Sequence, residues 1–390
     1  MIQTIEISKT LENSLHNQVA ERRLPGGNYT ARTAWPGIQL YYPPIKYMPA
    51  QERYETEAEA RLRLERYARA SHAHTIIFDL EDGCRQKAGS RSFLSSVLPE
   101  VRQHIPGNVA IRINPMGTPE NKLDLKLIAE IYPYIDDVML AKAGEQEGLR
   151  DLSELANFLT GLSRNLRIQP IIEHPLALRK AADIFALPAV EHVVFGIHDF
   201  SRAMHVQITP GGWQQELYPF MCSLSLEARL AGKGLIGGVE TLLIEREVPE
   251  IPLLPEWLVH HADTNAKTIF AHARREAAMG YTGKQVIHPN HIPLVRYGFQ
   301  PEAENIRRSL RILEAAVKAN AFLGGAIRFE DEMMDPPMFA KALQVILRSI
   351  MLGNKEKDLA DVALGIVASL PAEKIREIWP YALNGANHVL

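Results

Sequence analysis

Charged or imidazole side chains stand at the C-terminal end of nearly every short apolar segment between residues 37 and 289. These segments end in Asp79-Leu-Glu-Asp82, Arg112-Ile-Asn114, Lys142, Glu173-His174, His198-Asp199, Glu240 and His288. A charged group that is buried without a partner costs on the order of several kcal/mol, so these side chains must face one another, a metal ion or water. The spacing therefore predicts one cluster of charged residues at a common site.

Glu173 and Asp199 are the candidate metal ligands of this cluster. They follow neighbouring predicted strands, which places two carboxylates side by side. Hard oxygen ligands without a cysteine cluster favour Mg²⁺, with Mn²⁺ also possible. Such an ion would polarise a bound carbonyl and carboxylate. The alternative is that each carboxylate pairs with a neighbouring Lys or Arg, and the residues alone leave both interpretations open.

Arg112 lies inside an apolar segment, where its guanidinium suits a substrate carboxylate or the negative charge of an enolate. The alternative is a salt bridge to Asp79 or Glu81, and both interpretations could hold at once. On a continuing strand, Asp79 and Glu81 point to one side and Asp82 to the other, so at most one or two of them face the site. We expect them to hold Arg112, Lys142 or metal-bound waters.

The segments that precede these residues are typical of strands buried on both faces of a parallel sheet. They are short, rich in Val and Ile, and apolar on successive residues. They cover 38–42, 74–79, 109–114, 137–142, 168–173, 192–196, 235–239 and 284–288. Helical stretches, such as 52–70 and 263–279, alternate with them. The alternation predicts an α/β fold, a (β/α)8 TIM barrel, with a doubly wound sheet as the alternative.

Four segments are predicted along the chain. Residues 1–36 form an N-terminal extension, 37–298 the catalytic barrel, 299–352 a C-terminal helical lid or oligomer segment, and 353–390 a helical tail. The division rests on a change of pattern after Pro289, where amphipathic helices are predicted over 302–321 and 338–351. The predicted architecture is therefore a barrel with a C-terminal helical extension.

Composition excludes several classes of partner. The 390 residues include 43 Lys and Arg against 46 Asp and Glu, a net charge of −3, which argues against nucleic-acid binding. The sequence has no apolar stretch of ~18 residues and no basic, apolar start, so we expect no membrane span, no secretory signal and a cytoplasmic protein. The two cysteines, Cys84 and Cys222, predict neither a disulfide framework nor a metal cluster, and we expect both to be buried.

Seven short motifs, taken in order, resemble the citrate lyase β-subunit-like branch of the HpcH/HpaI aldolase superfamily. They are Phe78-Asp-Leu-Glu-Asp82, Arg112-Ile-Asn-Pro115, Leu140-Ala-Lys142, Ile172-Glu173, Gly196-Ile-His-Asp-Phe200, Gly283-Lys-Gln-Val-Ile-His-Pro289 and Met334-Asp-Pro336. The resemblance covers about residues 37–350. Within the superfamily, the chain looks most similar to a divergent subgroup of barrel carbon–carbon bond lyases, often encoded with tellurite-resistance genes.

The resemblance implies that Glu173 and Asp199 bind Mg²⁺ and that Arg112 is a catalytic residue that contacts the substrate. It implies an enzyme, a carbon–carbon lyase or aldolase, that acts on a 2-oxo acid or its enolate with an acyl-CoA or aldehyde partner. Cleavage of such a bond leaves an enolate, whose charge a divalent cation and an arginine stabilise. Asp79, Glu81 and Lys142 are expected to complete the substrate-binding set.

The same resemblance implies a homo-oligomer, with a trimer favoured. Asp335, in the C-terminal segment of a neighbouring subunit, would then act as the catalytic acid or base. Three stretches depart from the family. Its first strand usually carries basic residues that help hold coenzyme A, whereas Gln39-Leu-Tyr-Tyr-Pro-Pro-Ile-Lys46 lacks the Arg. Its seventh strand usually carries Ala-Ile-Asp where this chain has Gly237-Gly-Val-Glu240, and its closing motif commonly has a Gln at the last position of His288-Pro-Asn-His291. A free acid or aldehyde is therefore an alternative to a CoA thioester.

Two other functions stay open at this point. In the first, the same metal ion and Asp335 activate water against an acyl-CoA thioester, so the protein is a hydrolase. In the second, the protein is a non-catalytic member of the family that binds its metabolite. Retention of Glu173, Asp199, Arg112 and Asp335 together argues against the second, because a chain that has lost its activity need not preserve them.

Overall fold

The computed structural model describes residues 37–70, 73–105, 107–163, 165–251, 253–322, 324–351, 357–370 and 378. The expected N-terminal extension, 1–36, and most of the expected tail, 353–390, lie outside the described residues. The described chain divides into two compact units, of which the first ends at Phe299 and the second begins at Gln300.

Eight parallel strands among the described residues close into a barrel. They are β1 (Gly37–Tyr42), β2 (Thr75–Asp79), β3 (Asn108–Ile113), β4 (Asp137–Leu140), β5 (Arg167–Ile172), β6 (His192–Phe195), β7 (Gly234–Gly237) and β8 (Gly283–Val286). Each strand pairs with the next in the chain, and β1 closes the barrel by pairing with β8. The predicted TIM barrel is therefore confirmed, and the doubly wound alternative is excluded.

The barrel is filled by side chains rather than by a channel. One buried layer consists of Ile77, Ala110, Met139, Ile171, Val194 and Ile236, each from a different strand. Tyr41 of β1 packs against this layer. A polar layer contains Gln39, Gln169 and Gln285, whose amides hydrogen-bond to one another at 2.8 and 3.3 Å. Buried amides need such hydrogen-bond partners. The barrel interior is therefore filled with packed side chains, and a site at the end of the barrel would lie on top of them.

Helices separate the strands in the first unit. They cover Glu57–Ala70, Lys87–Val101, Pro119–Ile131, Arg150–Leu162, Pro175–Arg179, Ala181–Ala186, Ile197–Ala203, Trp213–Glu216, Tyr218–Ala231, Leu254–His260, Thr264–Ala278 and His291–Phe299. Short 3-10 turns cover Pro49–Gln51, Arg102–His104, Tyr132–Tyr134 and Glu147–Leu149. The helix over Thr264–Ala278 starts where Asp263 accepts a hydrogen bond from the Ala266 N–H at 2.7 Å, which satisfies one free donor of the first turn.

Two predictions about this unit are wrong in detail. The helix predicted over 52–70 begins at Glu57, because Arg53–Tyr54 pairs with Tyr47–Met48 in a small hairpin. A reciprocal cap then starts the helix: Thr56 Oγ1 accepts from the Glu59 N–H, and the Glu59 carboxylate accepts from the Thr56 N–H. Cys84 is buried as expected, but Cys222 is exposed; both are free thiols.

The second unit contains the helices Ala303–Lys318, Pro336–Met351 and Lys357–Ser369. A hairpin of Ile327–Phe329 and Glu332–Met334 lies between the first two helices in the sequence. None of the helices in the described ranges combines the length and the apolar character that crossing a bilayer requires.

Candidate active site

A cavity of about 370 Å³ lies at the C-terminal ends of the barrel strands. Its lining joins charged side chains to a larger set of apolar ones. The lining residues are Tyr41, Tyr42, Pro43, Asp79, Gly83, Arg112, Ile171, Glu173, Phe195, Gly196, Ile197, His198, Asp199, Val239, Gln285 and Ile287. The C-terminal face is where barrel enzymes place their active sites, because the strand ends and following loops converge there.

Arg112 points into this cavity while it is held by Asp79. The two residues are register partners on β3 and β2, so their side chains lie side by side. Arg112 Nε and Nη2 donate to the two Asp79 carboxylate oxygens, each at 2.7 Å. The guanidinium also lies 4.8 Å from the centre of the Tyr41 ring. The predicted alternative, a salt bridge, is therefore present, and Arg112 nevertheless lines the cavity.

The expected alternation of side chains beyond Asp79 is wrong, because β2 ends at that residue. Glu81 is buried and bridges two cations: it lies 3.3 Å from Arg112 Nη1 and 2.7 Å from Lys142 Nζ. Asp82 lies 3.7 Å from Lys142 Nζ. Asp79, Glu81 and Asp82 are thus linked through Arg112 and Lys142 in one network of ion pairs. Asp79 and Arg112 are the members of this network that line the cavity. The predicted role of Glu81 and Lys142 in substrate binding stays a prediction.

Glu173 follows β5 directly and is buried at the cavity wall. Its Oε1 accepts the backbone N–H of Lys142 at 2.5 Å. Burial raises the pKa of the Glu173 carboxyl to about 7; the Lys142 N–H opposes the shift and the nearby Asp199 charge adds to it. Because the negative charges of Glu173 and Asp199 repel each other, a cation bound between or beside the two carboxylates would stabilise both.

Asp199 lies in the first turn of the helix Ile197–Ala203, which follows β6. It lines the same cavity as Glu173, as predicted from their neighbouring strands. Its Oδ1 also accepts from Arg202 Nε at 3.1 Å, an ion pair within one helical turn that is largely exposed. Exposed ion pairs of this kind contribute little free energy, so the pairing with Arg202 does not prevent the Asp199 carboxylate from binding a metal ion.

These two carboxylates fit a hard divalent cation. Within the described ranges, no three His, Cys, Asp or Glu side chains come together as a complete metal site. Mg²⁺ does not require one, because it usually keeps several waters and is held by one or two carboxylates together with substrate oxygens. The donor set of Glu173 and Asp199 therefore matches the predicted ion.

A second charged cluster contains Glu240, which, contrary to the sequence prediction, does not line the cavity with the other strand-end residues. Lys284 of β8 is fully buried, and its Nζ lies 2.9 Å from Glu276 and 3.1 Å from Glu240. Glu240 also accepts from Trp213 Nε1 at 3.1 Å and contacts His272 Nδ1 at 3.0 Å. Burial opposes ionisation of Glu240, but Lys284 and His272 lower its pKa to about 2.

Glu276 has the opposite environment in this cluster. Burial raises the pKa of its carboxyl to about 7, although Lys284 partly opposes the shift. The sequence signals for the cluster were Glu240 at the end of the seventh apolar segment, a lysine inside the eighth, and the pair His272 and Glu276, four residues apart on one helix. We interpret the cluster as the structural support of the β7 and β8 ends of the barrel.

Asp335, the other predicted catalytic residue, belongs to the second unit and is exposed. Its backbone carbonyl accepts from the N–H groups of Met338 and Phe339 at the start of the helix Pro336–Met351. The residue is exposed to solvent, and its catalytic role stays a prediction.

The fold and cavity define a barrel protein whose site combines two carboxylates with an oriented guanidinium. Comparison with known proteins agrees with this class. The model of the family described as HpcH/HpaI aldolase/citrate lyase matches residues 60–245, which carry β2 to β7 with Arg112, Glu173 and Asp199. This match, which covers slightly less than half of the chain, confirms the resemblance that the motifs predicted.

Curated relatives extend over most of the chain. A citrate lyase subunit beta-like protein of Deinococcus radiodurans is 28% identical over 68% of this chain and 86% of its own length. The mitochondrial citramalyl-CoA lyase of Homo sapiens is 27% identical over 72% of this chain and 79% of its own length.

Two solved structures have the same fold. A citrate lyase of Burkholderia xenovorans LB400 superposes with a TM-score of 0.65 at 22% identity, covering 86% of this chain and 99% of that one. The CitE protein of Mycobacterium tuberculosis, in complex with magnesium, acetoacetate and coenzyme A, gives 0.59 at 21% identity, covering 81% and 98%. At these identities, the likeness establishes the barrel fold alone.

Proposed function

We propose that this protein is a Mg²⁺-dependent carbon–carbon bond lyase that acts on a 2-oxo acid through its enolate. The observation that carries the proposal is the presence of Glu173, Asp199 and Arg112 in one cavity at the C-terminal end of the barrel. Similarity to the family described as HpcH/HpaI aldolase/citrate lyase supports the same reaction class. The magnesium bound by the M. tuberculosis relative supports the choice of ion.

Glu173 and Asp199 would hold Mg²⁺, or Mn²⁺ in its place. When bound there, the ion supplies positive charge to the oxo and carboxylate oxygens of the substrate. Both carboxylates must be ionised to bind it, and the Lys142 N–H favours the ionised form of Glu173. The apolar part of the cavity limits the access of water to the site.

Arg112 is the residue that we assign to the developing negative charge. Its bonds to Asp79 and Glu81 fix the plane of the guanidinium and still leave N–H groups free for a substrate oxygen. A donor that is already oriented stabilises an enolate without reorganisation during the reaction. Asp335 of a neighbouring subunit in a trimer is our proposed acid or base.

The partner fragment is an acyl-CoA or an aldehyde. Coenzyme A is bound by the M. tuberculosis relative, and the human relative is named for a CoA substrate. The first-strand segment of this chain lacks the arginine that helps hold coenzyme A in the family. The requirement for coenzyme A is therefore a prediction. The trimer and the cytoplasmic location are also predictions.

Enolate formation is testable without knowledge of the partner. We expect the wild-type protein with Mg²⁺ to exchange the methyl protons of pyruvate for deuterium in D2O, measured by NMR, and we expect EDTA to stop the exchange. Glu173→Gln and Asp199→Asn should abolish both the exchange and Mg²⁺ binding by calorimetry. Glu154→Gln, in an exposed ion pair with Arg150 outside the cavity, is the matched control.

Two results would contradict the proposal. Unchanged Mg²⁺ affinity in both cavity variants would remove the metal assignment. Absence of exchange in the wild-type protein with Mg²⁺ would remove the enolate chemistry. Release of free thiol and acid from an acyl-CoA, without a second carbonyl fragment, would favour the hydrolase instead.

A further inference from the structure

The cavity has an unequal distribution of charge. Among the described residues that line it, Arg112 is the one side chain with a fixed positive charge. Asp79, Glu173 and Asp199 contribute three carboxylates to the same lining. His198 also lines the cavity, but its side chain is exposed to solvent.

The positive charge that is available suffices for one substrate carboxylate. A divalent cation at Glu173 and Asp199 balances those two residues, and the carboxylate of a 2-oxo acid is then accommodated by the cation and Arg112. Arg112 is already paired with Asp79 and lies 3.3 Å from Glu81. A second substrate carboxylate would therefore lack a fixed cationic partner among the described residues that line this cavity, which is strongly unfavourable in a partly buried site.

Most of the remaining lining is apolar or aromatic, with the amide of Gln285 as its polar member. The apolar and aromatic side chains are Tyr41, Tyr42, Pro43, Ile171, Phe195, Ile197, Val239 and Ile287. Ile287 follows β8 directly and is 41% exposed, although it is a large apolar side chain. Val239 also lines a smaller cavity of about 90 Å³, where Ile208, Pro210 and Trp213 stand beside polar residues that include Glu240. A substrate group that covers this surface gains free energy in proportion to the apolar area removed from water.

We propose that the carbonyl fragment that this enzyme pairs with the 2-oxo acid is uncharged and apolar, such as an aliphatic aldehyde. The inference rests on the proposed lyase function and specifies its substrate class. In the cleavage direction, a 4-hydroxy-2-oxo acid loses its hydroxyl proton to a base, and the bond between C3 and C4 breaks. The electron pair stays on C3 as an enolate, C4 becomes the aldehyde carbonyl, and C3 takes up the proton.

Butyraldehyde and succinic semialdehyde form a matched pair of probes, because both have four carbons and only the second carries a carboxylate. With Mg²⁺ and pyruvate, we expect kcat/KM for butyraldehyde to exceed that for succinic semialdehyde by at least about 100-fold, because the second carboxylate would be unpaired in the cavity. Addition products are measured by chromatography, and pyruvate methyl exchange is measured in the same preparation.

A charge-gain variant tests the reason for this preference. Ile287→Lys places a cation in the apolar part of the cavity lining. We therefore expect this variant to raise the ratio of kcat/KM for succinic semialdehyde to kcat/KM for butyraldehyde by about 10-fold or more. Leu226→Lys is the matched control, because Leu226 is 58% exposed on the helix Tyr218–Ala231 and does not line the cavity. The control should keep the wild-type ratio.

The outcomes separate this inference from the proposed function. If the wild-type protein fails to exchange pyruvate protons, the lyase proposal itself fails. If exchange proceeds but succinic semialdehyde is used as well as butyraldehyde, or butyraldehyde is not used, the inference is overturned and the lyase proposal stands. An Ile287→Lys ratio equal to that of Leu226→Lys would overturn the charge argument.

Discussion

Gly196 connects β6 to the helix that carries Asp199, and its lack of a side chain leaves room for Glu173. Its backbone angles, φ −84° and ψ 84°, are accessible to alanine, so Gly196→Ala introduces no backbone strain of its own. A Cβ atom at this position would lie 2.7 Å from Glu173 Cβ, 2.8 Å from Ile171 Cγ2 and 3.0 Å from Glu173 Oε2.

The size of the effect follows from these distances. Carbon atoms pack at about 3.5–4.0 Å, so the neighbours of the new methyl group must retreat by roughly 1 Å. Ile171 belongs to the buried interior layer and has little space to move, so we expect Glu173 to be displaced. Overpacking of this kind costs about 1–3 kcal/mol of unfolding free energy. Misplacing a metal ligand typically lowers metal affinity by roughly 10- to 100-fold.

Calorimetric titration with Mg²⁺ and thermal unfolding measure the two effects on the same samples. We expect Gly196→Ala to bind Mg²⁺ at least about 10-fold more weakly than the wild-type protein, with a lowered Tm. Gly161→Ala is the matched control, because Gly161 lies in the helix Arg150–Leu162 and its new Cβ would meet no atom within 4 Å. Wild-type Mg²⁺ affinity in Gly196→Ala would refute the assignment of Glu173 as a ligand held in this position.

Three further predictions follow from charged groups. Arg112→Lys should lower turnover by about 100-fold at unchanged Mg²⁺ affinity, because an ammonium cannot reproduce the two-point contact with Asp79; a fully active variant would contradict this role. Asp335→Asn should leave Mg²⁺ binding intact and slow steady-state turnover by ~10²-fold or more if it is the acid or base; an unaltered rate would mean a purely structural role. The raised pKa of Glu276, about 7, means that the folded protein holds a proton between pH 4.5 and 7 that the unfolded chain releases. Stability should therefore fall as pH rises through this window, by roughly 3 kcal/mol relative to Glu276→Gln in denaturant titrations; a pH-independent difference between the two proteins would contradict the raised pKa.

The barrel strands were predictable because each is buried on both faces, which leaves an uninterrupted apolar signal in the sequence. The predicted segment 192–196, for example, corresponds to His192–Phe195 in the structure. The end of the fourth segment was less predictable: a strand was expected to reach Lys142 but stops at Leu140, since Lys142 adopts a left-handed conformation with φ 53°. Nothing in the sequence predicts that a lysine at this position adopts the left-handed conformation.

Residues at strand ends were predictable as a group, but their mutual contacts were not. The cavity that joins Glu173 to Asp199 follows from the neighbouring positions of β5 and β6 in any such barrel. The bridging of Arg112 and Lys142 by Glu81 depends instead on the loop after β2, which leaves strand geometry at Asp79. Loops lack the period of two that allowed side-chain directions to be inferred.

Lys142 links the two parts of the site through one unusual backbone position. A non-glycine residue in the left-handed region costs on the order of 1–3 kcal/mol, so its neighbours must favour this conformation. The Lys142 backbone N–H donates to Glu173 at 2.5 Å, and Lys142 Nζ donates to Glu81 at 2.7 Å. Glu81 in turn contacts Arg112. The proposed metal ligand and the proposed enolate-stabilising guanidinium are therefore oriented through the same residue. Because the backbone supplies the contact to Glu173 and the side chain supplies the contact to Glu81, substitutions at Lys142 should affect Arg112 more than Glu173.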